Sequence, residues 1–202
     1  MSGPGLIAPD WPAPRRVRAA FTLRTGGVSA APYDSLNMGA AIGDSPEAVA
    51  ENRRLVSAAL RLPAEPVWLE QVHGTHVVVL GGTAGLAGGA AGVGAIADGA
   101  VPQGDASVAW GPGRVCAIRV ADCMPVLFAA RDGAVVGAAH AGWRGLAGGV
   151  LEATVGRMGV PASQLIAWMG PAIGQANFEV GEDVRLAFTG ADPEATSAFL
   201  PN

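Results

Sequence analysis

Residues 120–158 read VADCMPVLFAARDGAVVGAAHAGWRGLAGGVLEATVGRM. Two apolar runs, PVLFAA and AVVGAAH, flank Asp132-Gly133, a pair suited to the positive φ angles of a tight hairpin turn. The second run leads straight into GWRGLAGGVLEATVGRM, where Leu146, Val150, Leu151, Thr154 and Met158 form an inward stripe and Gly159 supplies a stop. The pattern predicts two strands followed by one helix. Gly148-Gly149 in its interior costs about 1 kcal/mol per glycine relative to Ala, which points to a close approach there.

Further candidates extend the pattern outward. DASVAW, RVCAIRVAD and LIAWMG read as strands, VWLEQVHGTHVVVL as two strand pieces around His73-Gly74, and AAFTLRTGGVS as a strand that breaks at Gly26-Gly27 and leaves Arg24 at a rim. GDSPEAVAENRRLVSAAL carries Ser45 as N-cap, Pro46 at the first helical position, and Val49, Leu55, Val56, Ala59 and Leu60 on one stripe. FEVGEDVRLAF starts a helix near Gly181 to Asp183, with acids at its positive end. Alternating strands and helices without an internal repeat indicate an α/β or α+β domain. The Gly/Ala-rich segment 81–97 has too little side-chain volume to pack and is expected to be a flexible loop.

At 202 residues, half of them apolar, the chain can bury one sizeable core, and we expect a single domain over 1–202. A net charge of −4 with thirteen basic residues provides no footprint for nucleic acid. The opening MSGPGLIAPDWPAPRR interrupts any signal-like apolar stretch with Pro and Asp, and no run of about eighteen large apolar residues spans a bilayer. A cytoplasmic protein with no membrane partner is expected; the oligomeric state is not readable. Cys116 and Cys123 lie seven apart in one apparent strand, so they point to opposite faces and do not form a disulfide.

The chain has three histidines. His73 in QVHGTH and His140 in AAHAGWRG sit at apparent strand breaks with small neighbours, and Cys123 ends the strand VADC. Two histidines and a cysteine can hold a transition metal with one position left open, as catalytic zinc requires. The plainer alternative is two hydrogen-bonded histidines and a buried thiol. Copper also accepts His2Cys with a weak axial Met, but Met124 is adjacent to Cys123 and points oppositely along a strand. Arg24, Arg119 and Arg144 are the nearby cations, and the start of the helix after His140 offers unpaired N–H groups for an anion such as phosphate. Asp122 is a candidate acid or base; Asp105, Asn37 and Gln71 read more readily as turn or strand-end hydrogen bonders.

Taken in order, TLRTGGVS, SLNMG, GDSPEAVAENRR, QVHGTHV, GDASVA, VADCMPVLF, VVGAAHAGWRGLAGGVLEATV and MGPAIGQANFEVG resemble the laccase-domain family over about residues 15–200. Members have been described as polyphenol oxidases, peptidoglycan editing factors and metal-dependent purine nucleoside phosphorylases. The resemblance implies a layered α-β-β-α domain with mixed sheets and a metal, zinc or alternatively copper, on His73, Cys123 and His140. It implies phosphorolysis of adenosine, inosine and methylthioadenosine, with adenosine deamination as a side reaction and a nucleoside and phosphate as partners. Catalytic roles are then expected for Asp122, Arg24 and Cys123, and substrate contacts for Arg24, Asn37, Gln71 and Arg144. Alternatives are a muropeptide-editing hydrolase, a copper phenol oxidase and a non-catalytic metal-binding protein. The chain departs from the family pattern in the extra Gly81–Gly94 stretch, in Ala176 and Asn177 where cysteines are often found, and in stopping at Asn202 before a further C-terminal segment.

Overall fold

The computed structural model describes residues 3–81 and 100–200. Apart from Gly81, the Gly/Ala-rich segment 81–97 lies outside them. Seven strands are named in chain order: β1 (Leu6–Ile7), β2 (Phe21–Thr22), β3 (Val77–Leu80), β4 (Ala106–Trp110), β5 (Met124–Ala130), β6 (Val135–Ala141) and β7 (Leu165–Met169). The helices are α1 (Pro46–Leu60), α2 (Trp143–Ala147), α3 (Val150–Met158) and α4 (Glu182–Thr189). The expected mixed α/β domain is present. Its centre is a five-stranded sheet of order β3-β4-β6-β5-β7, and β1 pairs antiparallel with β2 in a separate ribbon.

The hairpin read from Asp132-Gly133 joins β5 to β6, with Gly133 at φ 68 and Ala134 N donating to Asp132 Oδ1 at 2.9 Å. β3 and β4 run parallel and the other pairs antiparallel. All four residues of β3 are buried, so VVVL is a continuous apolar run rather than an alternating one. Its side chains still divide by face. Val77 and Val79 join Val108, Val126, Phe128, Val150 and Met158 under α3, while Val78 and Leu80 join Leu69 and Ala109 on the other side. α3 lies close on the sheet because β6 is small there: a Cβ on Gly137 would stand 3.3 Å from Val108 Cγ1 and 3.4 Å from Thr154 Cγ2. No helix among the described residues is long and apolar enough to cross a membrane.

Six local expectations are corrected by hydrogen bonding or backbone conformation. The single helix after His140 is two, because Gly149 takes φ 92 and breaks the run; the close approach is real, with a Gly148 Cβ 3.1 Å from Thr75 Cγ2. RVCAIRVAD forms no ladder strand. The amide of Gln71 stands in for a neighbouring strand, accepting from Arg119 N and donating to Arg119 O, both at 2.8 Å. Cys123 therefore precedes β5 rather than ending a strand, and His140 is not at a break but inside β6, opposite Pro125. Before β3 only the Glu70–Gln103 bridge forms, and AAFTLRTGGVS keeps only Phe21–Thr22 as strand, with Arg24 beyond it.

α1 begins as expected, with the Ser45 side chain accepting from Ala48 N at 3.3 Å and Pro46 in the first turn. Its buried face is Val49, Asn52 and Val56, whereas Ala59 is exposed. Asn52 holds the loop between β2 and α1: its Oδ1 accepts from Val28 N at 2.8 Å, and its Nδ2 donates to Ser29 Oγ at 2.8 Å and Asn37 O at 2.7 Å. Asp44 closes the same network, accepting from Ser29 Oγ at 2.6 Å and Asn37 Nδ2 at 2.9 Å. The Ser29 hydrogen bond, then that of Asn37, holds its carboxyl below the usual value, against a smaller opposing effect of burial. A depressed folded-state pKa contributes stability above the unfolded value, and that contribution is lost as pH falls through the folded one. Asp44→Asn is thus expected to destabilise at pH 7, with the difference from wild type closing as pH drops below about 4. Urea midpoints at several pH values test this, and a difference that does not shrink in acid refutes it.

Candidate metal centre

His73, Cys123 and His140 come from three places: the turn before β3, the bend before β5, and the penultimate residue of β6. One ligand atom from each lies within 4.8 Å of the others, and Cys123 Sγ is 4.0 Å from His73 Nε2. The two imidazoles meet edge to face, with centroids 4.7 Å apart. A tetrahedral ion bound at normal zinc distances spaces such donors roughly 3.5 Å apart, so the set needs only a small closure. The space they converge on is kept open by Gly142. A Cβ there would lie 2.8 Å from His73 Cδ2, 3.1 Å from Cys123 Sγ and 3.5 Å from His140 Cε1. Nitrogen and thiolate donors converging on a gap at a glycine fit a zinc-type ion.

Behind the ligands stands Asp105, which is fully buried. Its Oδ1 accepts from His73 N and contacts His140 Nδ1, each at 2.9 Å; its Oδ2 accepts from Gly74 N at 2.7 Å and Val72 N at 3.2 Å. Burial pushes the Asp105 carboxyl up, but the His140 contact and the amides of Gly74, Val72 and His73 together outweigh it and hold the group below its usual value. These amides turn inward because His73 adopts φ 61, left-handed and uncommon for a residue other than glycine. QVHGTH is consequently not a strand: its N–H groups are used by a carboxylate.

Burial pushes the Cys123 thiol up, and the charges of Asp122 and Asp105 add to this. In metal-free protein, Cys123 alkylation by iodoacetamide is expected to keep accelerating beyond the pH where ordinary cysteines level off. Burial pushes Cys116 up to about 12, so Cys116 is expected to stay unmodified. Peptide mass mapping across a pH series reads both, and rapid labelling of Cys123 at neutral pH contradicts the first expectation.

The remaining expected site residues separate into engaged and available groups. Asn37 is occupied by Gly39 and Asp44, and Gln71 by the Arg119 backbone. Arg24 is largely exposed and donates through Nε and Nη2 to Asp34 O at 3.1 and 2.9 Å. Arg144 is exposed, with its guanidinium stacked 4.2 Å over the Trp143 ring. The helix after His140 is the five-residue α2, so its end offers a smaller dipole than one long helix would. Asp122 is exposed beside Cys123, and its backbone oxygen accepts from Ile173 N at 2.9 Å. Asp105 and Gly142 were the underrated residues. GDAS marks a strand start and HAGW a helix start, and neither pattern says that a carboxylate or a missing Cβ faces the ligands.

A family described as multi-copper polyphenol oxidoreductase laccase matches residues 18–202. The chain belongs to the laccase-domain family. It is 52% identical over 196 residues to a purine nucleoside phosphorylase of Pseudomonas aeruginosa, covering 97% of this chain and 74% of that protein. To purine nucleoside phosphorylase YfiH of Escherichia coli it is 50% identical over 195 residues, covering 96% of this chain and 74% of the other. A crystal structure of a Neisseria meningitidis protein, 46% identical, matches this laccase-domain chain with a TM-score of 0.85 over 97% of it and 74% of the other.

Proposed function

We propose that this laccase-domain protein is a zinc-dependent purine nucleoside phosphorylase, using adenosine, inosine and methylthioadenosine with inorganic phosphate and deaminating adenosine as a side reaction. The observation that carries the reading is the convergence of His73, Cys123 and His140 on the space left by Gly142, in a chain about half identical to proteins named for this activity. Copper-cluster oxidation of phenols is less well supported, since multinuclear copper needs many histidines and the chain has three, with His76 outside the group.

His73, Cys123 and His140 would hold the metal, which when bound supplies Lewis-acid polarisation of substrate oxygen. In phosphorolysis a phosphate oxygen bonds to C1′ of the ribose, the C1′–N9 bond breaks, and the purine leaves with the bonding electrons and takes up a proton. Arg24 and Arg144 are the exposed cations suited to an anion. Arg24 donates to the Asp34 backbone carbonyl and has the exposed Asp34 carboxylate 3.6 Å from Nη2, solvent-exposed interactions for which a phosphate can compete with charge-assisted hydrogen bonds. Asp122, exposed next to Cys123, would exchange a proton with the departing base or with phosphate.

Zinc-loaded protein incubated with inosine and phosphate is expected to release hypoxanthine and ribose 1-phosphate, read by chromatography. Loaded wild type that yields neither product refutes the reading. Replacing phosphate by water with adenosine tests the side reaction through inosine formation.

A further inference from the structure

The proposed reaction leaves Asp105 without a task, although its side chain has the most completely specified surroundings in the centre. It is a fully buried carboxylate whose only side-chain hydrogen-bond partner among the described residues is His140. Three of its four neighbours are backbone N–H groups, which can only donate. A carboxylate held as an anion by these donors can only accept, so His140 Nδ1 must carry a proton and donate at 2.9 Å. In a neutral imidazole the proton on Nδ1 leaves the lone pair on Nε2, the ring nitrogen free to serve the group shared with His73 and Cys123.

The amides speak for the other histidine. Val72, His73 and Gly74 N–H groups turn toward one carboxylate only when His73 holds φ 61, and that conformation sets the direction of the His73 side chain. We propose that Asp105 is the positioning residue of the metal centre: a single buried carboxylate fixes His140 as its Nδ1–H tautomer and, through the 72–74 amides, orients His73, so both imidazole ligands depend on it. The inference goes beyond the phosphorylase reading and rests only on the metal-binding part of it.

Asparagine has the same shape and cannot perform both tasks. With its NH2 group in place of Oδ1, it opposes the His73 N–H and makes His140 Nδ1 an acceptor, which moves the proton to Nε2 and blocks the ligand lone pair. With the NH2 group in place of Oδ2, it opposes the N–H groups of Val72 and Gly74 and releases the turn. Loss of a carboxylate behind a ligating histidine typically lowers metal affinity roughly 10- to 100-fold, and substituting asparagine behind a histidine can select the wrong tautomer.

Two measurements test this. In metal-free wild type, at a pH high enough that the imidazole signals no longer move, long-range proton–nitrogen NMR is expected to show His140 protonated at Nδ1 and bare at Nε2. Chelator competition with Zn2+ is expected to show Asp105→Asn binding roughly 10- to 100-fold more weakly than wild type, with its His140 proton moved to Nε2 or its 72–74 amides shifted. A wild-type Nε2–H tautomer overturns the proposal even if the variant does not fold. So does a folded Asp105→Asn that binds Zn2+ within about twofold of wild type, below the smallest effect expected of such a partner. Wild type that binds no Zn2+ refutes the metal reading instead, and the tautomer measurement then still decides whether Asp105 holds His140.

Discussion

Gly142→Ala is expected to reduce bound metal to background and to lower phosphorolysis by roughly a hundredfold or more, the upper end of what disturbing a metal's surroundings does. The backbone has no objection to alanine: Gly142 has φ −64 and ψ 155, an extended conformation open to any residue. The objection lies in the 2.8 Å separation from His73 Cδ2 and 3.1 Å from Cys123 Sγ, both inside ordinary van der Waals contact. Relief requires one ligand to move out of the space on which all three converge. Far-ultraviolet circular dichroism should stay close to wild type, because Gly142 precedes the five-residue α2 and the β5–β6 ladder ends beside it. Zinc content near wild type in purified Gly142→Ala would show that the centre does not lie where we place it. Cys123→Ala, which removes a donor without adding volume, is the companion variant.

Asn52→Ala is expected to cost about 3 kcal/mol of stability. It strands the Val28 N–H and the Asn37 carbonyl and removes a partner of Ser29 Oγ, in a place where Asn52 itself is fully buried. For a chain of this size that corresponds to roughly 6–12 °C in Tm. The loop it releases runs from Arg24 to Asp44, so KM for phosphate should rise more than KM for inosine if Arg24 serves the anion. Metal affinity should stay unchanged, since no ligand touches this network. Thermal unfolding and the two KM values read these effects, and a loss under about 1 kcal/mol would mean that water replaces the amide.

The strands β4, β5, β6 and β7 and the helix α1 were readable locally because hydrophobic runs, a turn pair and a capping serine act over a few residues. The three candidate ligands were readable by type, since the chain has few histidines and cysteines, and motif order then singled them out. Where the reading failed, a distant side chain had replaced a backbone partner. Gln71 satisfies Arg119 in place of a neighbouring strand, and Asp105 takes the amides of 72–74 that a strand would have paired. Both acts join residues about thirty to fifty positions apart, and no periodicity records them. The reading of α2 and α3 as one helix failed for a different reason: a glycine pair tolerates helical and left-handed backbone alike, and packing chose the latter at Gly149.

By itself, the sequence determined a mixed α/β domain, its central hairpin, and the chemical types able to bind a metal, because these follow from local patterning and residue inventory. The tertiary structure alone decided that His73, Cys123 and His140 meet, that Gly142 leaves them room, and that one buried carboxylate stands behind both histidines. Those outcomes depend on which buried donors find which acceptors once solvent is excluded, a condition set by the whole chain and not by any stretch of it.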